Sequence, residues 1–249
     1  MAKKSLRVGE KLLQEGDSVF QPYVLQKPNS TFTEAFKILR TNVQFSLKLN
    51  QPKSLLITSA NAREGKTTVS ANLAISFANA GFKTILVDTD MRIPTLHKEF
   101  NLPNDKGLSN YLNEEVEWKE IIHPVTVENL SIIAAGMIPP NSAELLSTPR
   151  MVSLVQALLR EYQIAIFDSA PVNLVADTQI ISPLMDGVLV VVSSGSTRKG
   201  DIKKIRESLQ YAKVMGFVMN MLFKNTESYY QYRYKNSYYT KRASTDTDL

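Results

Sequence analysis

Gly65-Lys66-Thr67, inside the run ITSANAREGKTT, is the first place in this chain where residue types and spacing can do chemistry. The trio suits a phosphate. Backbone N–H groups of a tight loop and of a helix start cradle the oxygens, the ammonium neutralises the β and γ groups, and the hydroxyl can ligate Mg²⁺. The pattern G-x-x-x-x-G-K-[ST] is incomplete, because Ala60 stands where its first glycine belongs. A lone G-K-T is a weak signal, so its context decides. The apolar run SLLITSA (Ser54–Ala60) precedes it as a strand, and GKTTVSANLAISFANA follows with helical spacing up to Gly81. The loop Asn61, Ala62, Arg63, Glu64, Gly65, Lys66, Thr67 and Thr68 is therefore assigned to the phosphates of a nucleotide.

Three carboxylates extend the constellation. Asp88 and Asp90 end the run TILVDTD, and Asp168 ends QIAIFD. In an open α/β sheet these positions fall at the carboxyl edge of the strands, beside the phosphate loop. Such residues also cap the next turn, but three converging on one loop point to a metal and a reaction. Asp168 is assigned to Mg²⁺ through water, Asp88 to the metal and to the proton of an attacking hydroxyl, and Asp90 to completing the metal environment. Thr67 is the hydroxyl ligand. A third feature lies near the C-terminus, where six of the ten tyrosines (Tyr229, Tyr230, Tyr232, Tyr234, Tyr238, Tyr239) fall within eleven residues.

The elements that position these residues are legible as apolar runs. KTILVD, QIAIFD, GVLVVVS (Gly187–Ser193) and VMGFVMNMLF (Val214–Phe223) join SLLITSA as strands separated by helical patterns, with LSIIAA (Leu130–Ala135) as one more. Strands apolar on both faces and alternating with helices predict an α/β, P-loop NTPase-like, mostly parallel sheet with helices on both faces, in a single domain. Residues 1–30 are polar, broken by Pro22 and Pro28, and read as a flexible arm. Thr31–Leu49 places Phe32, Phe36, Leu39, Val43 and Leu47 at helical spacing. From Lys224 the chain has no Val, Ile or Phe, and residues 224–249 read as a flexible tail. If the last strand is parallel, this tail leaves from the nucleotide edge. From Phe223 to Tyr239 it spans up to roughly 55 Å extended and roughly 20 to 24 Å as a coil.

Composition removes whole classes of function. The chain has 249 residues, no Cys and two His (His97, His123), which excludes disulfides and leaves little for a thiolate or histidine metal site. No apolar stretch is long enough to span a membrane, and Met1–Arg7 leads into polar sequence, so neither a span nor a secretion signal is expected. A net charge of +5 with scattered basic residues argues against a nucleic-acid partner. The expected location is cytoplasmic.

With these residues in view, the sequence resembles the bacterial tyrosine kinases of capsule and exopolysaccharide synthesis, in their separate cytoplasmic form. The resemblance rests on the Walker A-like ANAREGKT, the second motif ILVDTDMR, the Walker B-like IAIFDSAP, the connecting pieces RIPTLHKEF, GLSNYL and GMIPPNSAELL, and the tyrosine cluster. It implies an ATP- and Mg²⁺-dependent protein-tyrosine autokinase. Lys66, Asp88, Asp90 and Asp168 would be catalytic, and the six tail tyrosines would be phosphorylated in trans. It also implies a homo-oligomeric ring assembled through an E-x-x-R-x-x-R helix, whose positions are Glu34, Lys37 and Arg40 here. Lys37 departs from that pattern and lacks the planar fork of Arg. Ordinary i,i+3 charge pairing is the alternative. Many relatives carry Pro-Gly at the positions of Ala62-Arg63, and a Pro at Ala170. Asn220 holds a place suited to the adenine edge, or bonds to backbone at a strand end. A transmembrane modulator is the implied partner, recruiting the chain to the inner face of the membrane.

Two other readings stay open. A partition-type P-loop ATPase carries K-G-G-x-G-K-T, and the position of its early Lys is Asn61 here. A non-catalytic nucleotide-binding scaffold would leave the tyrosines to another kinase.

Overall fold

A computed structural model describes residues 22–27 and 29–221. The tail from Lys224, its six tyrosines and residues 1–21 of the arm lie outside the described residues.

Seven strands form one sheet in the order β3-β4-β2-β5-β1-β6-β7. They are β1 (Lys53–Ser59), β2 (Thr84–Asp88), β3 (Ile122–Pro124), β4 (Leu130–Ile133), β5 (Ile164–Asp168), β6 (Gly187–Ser193) and β7 (Val214–Asn220). All six strands expected from the apolar runs are present and parallel. The seventh, β3, pairs antiparallel with β4 at the far edge. Its three residues Ile-His-Pro are too few to show a period, and Pro124 has no N–H for the ladder, which suits an edge.

β1, β2, β5 and β6 are buried along almost their whole length. Helices on each face do this. On one side α2 (Thr31–Leu47) and α3 (Lys66–Ala78) cover Leu55, Ile57, Leu86, Ile164 and Ile166. On the other, α5 (Leu108–Leu112), α7 (Pro149–Glu161), α8 (Asp177–Ile181) and α9 (Lys199–Ser208) cover Leu56, Ile85, Val87, Phe167 and Val190. Two further helices, α4 (Leu96–Glu99) and α6 (Ser142–Leu146), are single turns in the connections.

The described end of the N-terminal arm corrects one expectation. Tyr23–Gln26 forms a short helix, α1, and Val24 is buried in the α2/α3 cluster. The cause is Asn72 on α3: its Oδ1 accepts the Val24 N–H at 2.8 Å while its Nδ2 donates to Thr68 O at 2.7 Å. A wholly buried amide satisfied on both sides specifies one docking position. Nothing within Pro22–Lys27 reports this, because the partner is 48 residues away.

At the opposite edge β7 is covered poorly. Phe217 is 51% and Met219 61% exposed, although their neighbours in register, Val190 and Val192, are buried beneath the α9 side.

Candidate active site

The phosphate loop turns from β1 into α3 through two left-handed residues, Arg63 (φ 63) and Gly65 (φ 88). At Gly65 a side chain is disfavoured twice over: the left-handed backbone strains it, and a Cβ would stand 2.1 Å from Asn220 Nδ2, forcing that amide to move. Arg63 is exposed and adopts the left-handed conformation despite its side chain, at a cost of about 1 kcal/mol. That accounts for glycine as the more comfortable residue at its position.

The loop is braced by its own Glu64. This buried carboxylate accepts from Asn61 N (3.0 Å), from Asn61 Nδ2 (3.4 Å) and from Thr197 Oγ1 (2.6 Å), tying the loop's start to the β6–α9 connection. Asn220, at the end of β7, donates its amide to Glu64 O at 3.0 Å. The side chain therefore bonds to backbone, as one of its two expected readings held, but to the phosphate loop rather than to its own strand end.

Lys66 and Thr67 open α3 and face the carboxylates. Asp88 and Asp168 are directly paired in the β2–β5 register, so both carboxyls arrive at one edge of the sheet. Thr67 Oγ1 donates to Asp168 Oδ2 at 2.7 Å, and Ser70 Oγ, one turn on, donates to Asp168 Oδ1 at 2.9 Å. Lys66 Nζ lies 2.9 Å from Asp90 Oδ2 and 3.5 Å from Asp168 Oδ2. Asp88 accepts from two backbone N–H groups, Asp90 (3.1 Å) and Leu96 (3.2 Å), one at each oxygen. Arg92 of the same loop grips the buried Asp177 through Nε (3.0 Å) and Nη2 (2.9 Å), fixing the loop after β2 against α8. The structure thus brings Lys66, Thr67, Asp88, Asp90 and Asp168 together.

One ammonium faces an excess of buried acid. Burial alone would lower the Lys66 pKa, but Asp168 and then Asp90 outweigh it and hold the ammonium above its ordinary value. Burial pushes the Asp88 carboxyl up to about 8, with Asp168 adding to the effect and Lys66 opposing it. Asp168 is raised by burial against the pull of Lys66 and the Thr67 and Ser70 hydroxyls. Glu99, buried nearby on α4, is pushed to about 7 by burial and then by Asp168.

These directions set a pH dependence. A raised carboxyl binds a proton in the folded chain that the unfolded chain has released, so stability is full below about pH 4 for these groups and is lost as pH rises through 7 to 8. Ligand-free protein is expected to melt lower at pH 8.5 than at pH 5.5, by a difference on the order of a few kcal/mol in stability. Thermal melts across that range check it, and a melting temperature that rises with pH would refute it.

The same excess charge suits a hard cation. Thr67 and Asp168 offer oxygen donors, with Asp88 beside them, and Mg²⁺ prefers one or two such ligands together with phosphate oxygens and water. Among the described residues no three His, Cys, Asp or Glu side chains are arranged to hold a metal alone. The donor set therefore fits an ion that arrives with a nucleotide.

The helix proposed for assembly divides. Glu34 and Lys37 are exposed and paired to each other at 2.6 Å. Arg40 instead turns onto α3, donating through Nη1 to Ser76 O at 2.7 Å. The i,i+3 pairing alternative describes Glu34 and Lys37, while Arg40 is engaged within the chain. Sequence reasoning had no role for Ser70, Glu64 as a brace, Thr197 or Asp177. Only Ser70 carried a signal, its position one helical turn beyond Thr67.

Comparison with known proteins agrees with this geometry. Residues 55–213 match a family model described as an AAA domain. A putative tyrosine-protein kinase, CapB of Staphylococcus aureus, is 39% identical over 214 residues, covering 84% of this chain and 94% of that protein. Among solved structures, the chimerical protein CapA2B2 is 38% identical with a TM-score of 0.77, over 82% of this chain and 90% of that one. The kinase domain of the Escherichia coli tyrosine kinase ETK is 26% identical with a TM-score of 0.79, over 85% and 84%. A P-loop with three carboxylates at one sheet edge, in a chain this similar to named kinases over most of its length, leaves one conclusion: the chain belongs to the bacterial tyrosine-protein kinase family.

Proposed function

We propose that this kinase transfers the γ-phosphoryl group of ATP to the tyrosines of its own C-terminal cluster, between neighbours in a ring, and so regulates capsular or exopolysaccharide synthesis and export. The observation that carries the reading is the meeting of Lys66, Thr67, Asp88, Asp90 and Asp168 at the sheet edge toward which β7 also runs. β7 is parallel to β6, so the chain continues toward the tyrosines from the nucleotide side.

Phosphoryl transfer needs positioning and charge stabilisation more than covalent chemistry. The N–H groups of the Arg63–Thr67 loop and the start of α3 receive the phosphates, and Asn220 borders the loop on the side suited to the base. Lys66 leaves Asp90 and Asp168 for the β and γ oxygens. Thr67 and Asp168, with Asp88, would hold Mg²⁺, which supplies positive charge against the phosphates. The tyrosine oxygen forms its bond to the γ-phosphorus as the bridging oxygen of ADP departs, and the phenolic proton passes to Asp88. A phenol has a pKa of about 10, so a poised carboxylate is the natural acceptor.

The exposed Ile38 and Phe45, seven residues apart on α2, support a role for this helix in assembly. Among the described residues no helix is long and apolar enough to cross a membrane. Recruitment to the inner face of the membrane is therefore assigned to the cytosolic tail of a transmembrane modulator, of the polysaccharide co-polymerase type.

Purified full chain with ATP and Mg²⁺, with and without a modulator tail, tests the reading. Phosphotyrosine mapping is expected to find Tyr229, Tyr230, Tyr232, Tyr234, Tyr238 or Tyr239, at a rate per molecule that rises with protein concentration. A concentration-independent rate would refute transfer between neighbours. No phosphotyrosine under either condition would favour the scaffold.

A further inference from the structure

The outer edge of β7 combines two unmet demands. Among the described residues it is the last strand of the sheet, so its outward N–H and C=O groups have no ladder partner. Its face on the α9 side carries Val214, Phe217 and Met219, each at least 38% exposed. β6 shows that this face belongs to the core: Val188, Val190 and Val192, beside those three residues, are buried. An open edge with a row of apolar side chains is a template for one more strand.

The occupant is indicated by where the strand ends. At Met221 the backbone turns left-handed (φ 54), which takes the chain out of the strand direction. Twenty-eight residues follow, Leu222 to Leu249, and within them Tyr230-Gln231-Tyr232-Arg233-Tyr234-Lys235 alternates aromatic with polar. That is the period of a strand with one apolar face. Residues 222–229 between β7 and this run are enough to reverse direction. Cross-strand pairs of aromatic with aliphatic or aromatic residues stabilise such an addition.

We infer that the free edge and apolar row of β7 take up the chain's own segment Tyr229–Lys235 as an antiparallel strand, seating Tyr230, Tyr232 and Tyr234 on Met219, Phe217 and Val214. Gln231, Arg233 and Lys235 then point to the opposite face. The consequence for catalysis rests on the tail being the substrate, as proposed above. Docked tyrosines are withheld from a neighbour's site, so Tyr238 and Tyr239 react first. A phosphate adds a charge of about −1.5 to −2, which the apolar row cannot accept, so each later modification opposes redocking.

Hydrogen–deuterium exchange on phosphatase-treated full chain without nucleotide tests the docking independently of any kinase activity. Peptides covering 229–235 are expected to exchange at least about tenfold more slowly than in Phe217→Glu, with β7 amides protected in parallel. Because a core-edge substitution can disturb the domain, the tail variant Tyr230→Ser/Tyr232→Ser/Tyr234→Ser is the second arm. It is expected to release β7 protection while leaving β1 and β5 unchanged. Equal exchange of 229–235 in parent and Phe217→Glu would overturn the inference. So would β7 protection that grows with protein concentration while 229–235 exchanges freely, which assigns the edge to a second copy. Protection appearing only on adding a modulator tail would overturn it in favour of that partner.

Discussion

Lys66→Met is expected to cut phosphotyrosine formation at least about 10²- to 10³-fold, the scale of losing one preorganised charge at a developing phosphoryl transition state. Methionine keeps the length and packing of the stem, so the variant isolates the ammonium. The structure adds a second consequence. Among the described residues, Lys66 is the cation within 4 Å of Asp90 and Asp168, both buried. Its removal takes away the charge that opposes the upward push of burial on the Asp168 carboxyl, so that acid takes up a proton more readily. The fall in ligand-free stability with rising pH should therefore be steeper in Lys66→Met than in the parent. Melts of both proteins between pH 5.5 and 8.5, beside a phosphotyrosine assay, read the two effects together. Unchanged turnover would refute the assignment of Lys66. Parallel melting curves would show that the ammonium is not what balances the acidic cluster.

This double role explains why some of the site was readable in sequence and some was not. The sheet was legible because β1, β2, β5 and β6 are buried on both faces and must be apolar throughout. Lys66, Thr67, Asp88, Asp90 and Asp168 were legible because strand ends place them, and strand ends are visible in the apolar pattern. What holds those residues still is a different matter. Arg92 meets Asp177 across 85 residues, Glu64 meets Thr197 across 133, and Asn220 meets Glu64 O across 156. Such pairs depend on the order of strands in the sheet, which local patterns do not encode. The same limit applies to Arg40. Its spacing from Glu34 and Lys37 suggested one shared surface, yet the turn of α2 onto α3 gives it Ser76 as partner. The poorly covered β7 is a milder case: its run looked as apolar as the others, and only its edge position shows that one face lacks a cover.

Asp88→Asn is expected to lower turnover about 10²- to 10⁴-fold if Asp88 receives the phenolic proton, the range for general-base catalysis. Both of its oxygens accept backbone N–H groups, from Asp90 and Leu96. An amide has a single oxygen, so the variant leaves one of these buried donors facing an NH₂ group, a cost of about 1 to 3 kcal/mol. That cost does not depend on pH. The parent's own penalty does, because its carboxyl is pushed up to about 8 by burial and its stability is lost as pH climbs through that value. The asparagine variant should thus be clearly less stable than the parent at pH 5.5, and the gap should narrow by pH 8.5. The kinetic signature separates a proton acceptor from a residue that merely positions the β2 loop. With Asp88 as base, the parent's rate rises with pH through the carboxyl's titration in the nucleotide complex, and the residual rate of Asp88→Asn lacks that limb. A variant that keeps the same acid limb at reduced amplitude would assign the proton to another group and leave Asp88 as the anchor of the Asp90 and Leu96 backbone. Glu99, pushed to about 7 beside Asp168, would be the next to replace.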